Sequence, residues 1–194
     1  MNQKLCGRAE LTLTKEQLNS IWNYYLSLER DMSNTSQYIE PAGQEQVYSF
    51  EFAKILVLSC TEAESLFKIL CYEIEKRKAG NISEYKRIIL SQYPRIVEVE
   101  VSVSRLNKSI KPFENWGEEK LNWWDAYQEV KHNREKSFSM ATYINAVTAL
   151  AAVYILIFYV SKISGIGFHS CKAEYIDSEY ANQYLICSPE KYVP

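Results

Sequence analysis

A chain of 194 residues can bury a sizeable core as one domain, and its 47% hydrophobic and 24% charged content is that of an ordinary globular protein. Only 6 Gly and 5 Pro stand against 15 Tyr, so long helices are expected in place of a turn-rich sheet. A net charge of −2 and a pI near 5.8 exclude a general attraction to nucleic acid, and an RNA partner would need a local cationic patch.

In chain order, Leu11-Thr12-Leu13 reads as a short strand or an extended lead-in. Thr14-Lys15-Glu16-Gln17 has the form of a capping box, and Leu18, Ile21, Trp22, Tyr25 and Leu28 follow at helical spacing. A first helix is expected to run to about Met32, followed by a polar loop over 33–44. A long helix is expected over about 46–78. Ala53, Leu56, Val57, Cys60, Phe67, Cys71 and Ile74 form one apolar face, while Ile55, Leu58, Leu66 and Ile69 cover the other, so neighbours should enclose it. Ala79-Gly80-Asn81 stops it, and Ser83 is placed to cap a short helix ending before Tyr93-Pro94. Val97, Val99, Val101 and Val103 then alternate with Glu and Ser, the period of a half-buried strand, which either pairs with the N-terminal or C-terminal segment or is not a strand at all.

A polar loop over 107–117, carrying Pro112, Phe113 and Trp116, leads into a helix expected from Glu118 to Ser137. From Ser137 to Ser161 there is no charged residue. That length meets the criterion for a membrane span, yet Thr142, Asn145, Thr148, Tyr154 and Tyr159 dilute its hydrophobicity, and a central bundle helix is also apolar all round. The core-helix reading is preferred. Gly165-Ile166-Gly167 ends this helix, and the aromatic tail over 168–194 is expected to pack on the domain. The expected fold is mainly α: one domain over 1–194, a bundle of about four to five helices with a minor β element near 96–104.

Five scattered cysteines without a CxxC pair, and an N-terminus without the apolar core of a signal peptide, point to a reducing cytoplasm. His169, Cys171 and Cys187 lack the tight pair spacing of a metal site. No phosphate-binding Gly loop, HExxH, GxSxG or dinucleotide fingerprint is present, so no metal or cofactor is expected.

The densest chemistry lies between Asn122 and Arg134. On a continuous helix at about 100° per residue, Trp123, Trp124, Tyr127, Val130 and Phe138 gather on one side together with Lys131 and Arg134. Cations on an aromatic face need a carboxylate, a ring or a route to solvent. Glu64, within the main apolar face of the second long helix, is the expected partner. This pair reads equally well as an internal salt bridge setting helix register or as part of a binding site with Trp124 and Tyr127. His132 points elsewhere, in line with Asp125 and Gln128 and near Glu129 and Glu135. It is either a general base oriented by Asp125 or Glu135, with Lys131, Arg134 and Lys136 offering a phosphate site, or one histidine on a solvated face.

The order of Phe52-Ala53-Lys54-Ile55, Glu62-Ala63-Glu64-Ser65-Leu66-Phe67-Lys68, then Lys131-His132-Asn133-Arg134 and a long apolar helix resembles the HEPN superfamily over roughly 46–163. That resemblance implies a small α-helical bundle, commonly dimeric, and for many members metal-independent RNase activity in toxin–antitoxin and antiviral defence. Active members carry an arginine a few residues before a histidine. Here only His132 maps onto that pattern, the corresponding positions being Asp125, Ala126 and Tyr127. The resemblance thus implies either an RNase in which His132 takes the 2′-hydroxyl proton and Lys131 or Arg134 stabilises the phosphate, or a non-catalytic relative binding RNA, nucleotide or protein. Implied partners are RNA, an antitoxin or other protein, and a second copy of the chain.

Overall fold

The computed structural model describes residues 13–167 and 176–177. Helix α1 (Lys15–Thr35) starts at the expected capping box: Gln17 N–H donates to Thr14 Oγ1 at 3.2 Å and Thr14 N–H to Gln17 Oε1 at 2.8 Å. Its apolar face, Leu18, Trp22, Tyr25, Leu28 and Met32, is buried. Helix α2 (Phe50–Glu75) starts at Ser49, whose hydroxyl accepts from Phe52 N–H, and stops where Lys76 turns left-handed at φ 52°. Helix α3 (Ile82–Gln92) is capped by Asn81, not Ser83: Asn81 Oδ1 accepts from Glu84 N–H at 3.0 Å.

The alternating valines are strand only in part. Pro94–Glu98 coil into a 3₁₀ turn, because Pro94 presets a helical φ, and the strand β1 keeps only Val101–Val103. Val101 and Val103 point inward and Ser102 outward, as the alternation requires. Strand β1 is central in a small antiparallel sheet of order β2-β1-β3. The strand β2 (Lys108–Ile110) returns as a hairpin with Ser102 opposite Ser109, and β3 (Ile176–Asp177) adds the C-terminal segment with Val103 opposite Ile176. One partner is thus the C-terminal segment, and the other, β2, lies within the stretch over 107–117 expected to be loop.

The expected continuous helix over 118–137 is broken. Helix α4 (Asn122–His132) ends at Asn133, whose φ/ψ of −134°/39° is not helical, and a single turn, α5 (Arg134–Ser137), restarts after it. Glu129 secures the break by accepting from Asn133 Nδ2 at 3.2 Å and Ser137 Oγ at 3.1 Å. Asn side chains compete for local hydrogen bonds and weaken helix interiors, which accounts for the break here.

Helix α6 (Tyr143–Ser164), capped by Thr142 and closed by left-handed Gly165, is the central column. It is long and apolar enough to cross a membrane, and most of it is buried inside the bundle. It packs chiefly along α2, with α1 and α4 alongside. The two long helices start together: Tyr143 N–H donates to Val47 O at 2.8 Å and Ile144 N–H to Glu45 O at 3.0 Å. Phe113 and Trp116, expected in a polar loop, are buried and ring α2's Phe67 together with Trp124 and Tyr85. The result is mainly α with a minor β element. Residues 1–12, the metal-like set His169, Cys171 and Cys187, and most of the C-terminal tail lie outside the described residues.

Candidate functional site

The aromatic side of α4 belongs to the core. Trp123, Trp124 and Tyr127 are buried, Trp123 Nε1 donates to Pro112 O at 2.8 Å, and Trp124 packs edge-on against both Phe67 and Tyr127. Burial of this many rings is worth several kcal/mol each relative to exposure, so these residues hold the bundle together.

The cations did not follow the aromatics inward. Lys131 is exposed and folds back along α4, its Nζ donating to Tyr127 Oη at 3.1 Å and lying 5.2 Å from the Tyr127 ring centre. That hydrogen bond is the main reason its pKa is raised, with the charge of Glu64 a lesser contribution. Glu64 itself pairs within α2, accepting from Lys68 Nζ at 2.7 Å. The expected buried pair between Glu64 and Lys131 or Arg134 is therefore not formed. Glu64 and Lys131 sense each other across the α2–α4 seam, but each is satisfied locally. Arg134 is carried away from that seam by the break at Asn133.

His132 is exposed at the end of α4. Among the described residues no hydrogen bond joins it to Asp125 or Glu135. Asp125, half-exposed, has Lys120 Nζ at 3.8 Å. Lys131, His132 and Arg134 thus share the charged, solvated junction of α4 and α5, whereas Asp125 lies in the first turn of α4, about 10 Å away along the helix. Burial pushes the Cys60 thiol well above its ordinary range and Cys71 up to about 12, so neither is a ready nucleophile. No three metal-ligating side chains gather among the described residues.

A second feature lies beside this cationic end. Phe50, the first residue of α2, is 76% exposed, and Tyr48 is 51% exposed. Both lean on Phe138: the Phe50 and Phe138 rings are 4.6 Å apart, and Tyr48 meets Phe138 edge-on at 5.5 Å. This aromatic lip opens onto a groove of about 270 Å³ lined by Phe50, Ala53, Lys54, Val57, Leu58 and Arg134. Lys54 is neutralised by Asp31 across from α1, at 3.1 Å, and by Glu51. Arg134 has no hydrogen-bond or ion-pair partner among the described residues. The groove is apolar with one uncompensated guanidinium on its wall.

Sequence periodicity missed the lip because Phe50 shares the helical side of Val57 and so reads as core. Phe52, in the same first turn, is fully buried, so position along the helix does not by itself separate the two. No protein-family description, curated protein or solved structure matches this chain.

Proposed function

We propose that this chain is a non-catalytic interaction module built on a HEPN-like helical bundle. One observation carries the reading. The aromatic residues of α4 are consumed by the core, whereas Tyr48 and Phe50 stay in solvent, leaning on half-buried Phe138, beside an arginine with no partner among the described residues. Exposed large rings at the edge of an apolar groove are the usual anchors of protein recognition. The charged end of α4 lacks the matching feature of an acid–base site, a carboxylate hydrogen-bonded to His132 among the described residues.

Metal-independent RNA cleavage is the second reading, favoured by the joint exposure of Lys131, His132, Arg134 and Lys136. In it His132 takes the 2′-hydroxyl proton, and Lys131 or Arg134 stabilises the phosphate. The two readings part in one assay: purified full-length chain incubated with RNA in EDTA, alongside His132→Ala. The interaction module leaves the RNA intact with both proteins. Cleavage by the native chain that disappears in His132→Ala replaces it with the RNase.

A further inference from the structure

We propose that the groove between α2 and α5 docks an acidic amphipathic helix of a partner protein, with Phe50 as the hydrophobic anchor and Arg134 as the charge selector. The inference rests on the interaction-module reading and names its surface and the chemistry of its partner.

The outward stripe of α2 suits a helix. From Phe50 through Val57, Leu58 and Thr61 to Ser65 it runs about 22 Å, some four turns. Its two hydroxyls are already committed: Thr61 Oγ1 donates to Val57 O at 2.8 Å and Ser65 Oγ to Thr61 O at 3.1 Å. Covering them strands no donor. Their small size lets a second backbone come close, and the half-buried Val57 and Leu58 supply apolar contact. Helix-in-groove recognition needs this combination of an apolar floor and a large anchor.

Charge decides which helix. On the α5 wall, Arg134 lines the groove and has no ion-pair partner among the described residues. On the α2 wall, Lys54 is balanced by Asp31 and Glu51. Among the residues lining the groove, the uncompensated charge is that of Arg134. A partner whose apolar stripe is flanked by Glu or Asp meets it favourably, and one flanked by Lys meets it with repulsion.

The test uses the full-length chain and two synthetic helical peptides of about 16 residues, enough to span the stripe. Both carry the same leucine stripe, flanked by Glu in one and by Lys in the other. The Glu peptide is expected to bind about tenfold tighter at low salt, with the preference shrinking as salt rises. Arg134→Glu should invert that preference, and Phe50→Ser should abolish binding of both peptides. Phe50 is exposed, so Phe50→Ser keeps the fold, which circular dichroism verifies. Equal affinity for the two peptides, or binding untouched by Phe50→Ser, overturns the proposal. So does a native dimer that Phe50→Ser dissociates while neither peptide binds, since a second copy then fills the groove. None of these outcomes resembles His132-dependent RNA cleavage, which is how the underlying reading itself would fail.

Discussion

Glu62 illustrates how a single side chain on α2 answers to its surroundings. It is half-buried, and burial raises its pKa above the ordinary carboxylate value, with no ion pair to it among the described residues. Its folded pKa therefore lies above the unfolded value of about 4.3. The fold prefers the protonated form: its contribution is fully present below the unfolded pKa and is lost as pH rises through the folded pKa. Glu62→Gln, which keeps the shape and removes the charge, should raise stability at pH 7, with the gain vanishing below about pH 4. Urea unfolding of both proteins across that range checks it, and a destabilised Gln variant at neutral pH would contradict it. Lys131 shows the opposite solution. Its stem lies along Tyr127 and its head reaches the phenol oxygen, so it needs no buried carboxylate.

At the scale of the element, α2 has two kinds of phenylalanine. Phe67 is fully buried inside a ring of Tyr85, Phe113, Trp116 and Trp124, whereas Phe50 stands in solvent at the lip. Phe67→Ala should cost about 3–5 kcal/mol, the range for emptying a packed aromatic site. Phe50→Ser should stay within about 0.5 kcal/mol, as surface substitutions do. Equilibrium denaturation of the two variants measures both, and comparable losses would mean that the lip is core.

Other elements show what the sequence makes legible. The capping box at Thr14, the stop before Pro94, the all-round apolar α6 and its Gly165 terminus are all visible, because caps and periodicity are local signals. The α4–α5 break was not. Neither Gly nor Pro marks it, and only Asn133 with its bond to Glu129 redirects the chain. A continuous helix through that position would set Arg134 beside Lys131, on the side that faces Glu64. The aromatic face of α4 was legible as apolar, but period alone does not say whether rings face core or ligand. Phe113 and Trp116 were hidden among polar neighbours in a loop that tertiary packing pulls inward.

Across the whole molecule, one buried apolar column, α6, lets α1, α2 and α4 gather around it. The joint starts of α2 and α6, held by the hydrogen bonds to Val47 and Glu45, bring Tyr48, Phe50 and Phe138 to one end. The break at Asn133 then sets Arg134 beside that end, where it lines the groove. Fold and surface are linked in this way: the contacts that close the core also assemble the lip.

The measurement that bears most directly on this account is chemical-shift mapping of the full-length chain titrated with the Glu-flanked leucine peptide. The account predicts that the shifts concentrate on the methyls of Ala53, Val57 and Leu58, the Phe50 and Phe138 rings, and the amides of 134–138. Shifts centred on His132 and Asp125, shifts scattered over the surface, or none at all would contradict it.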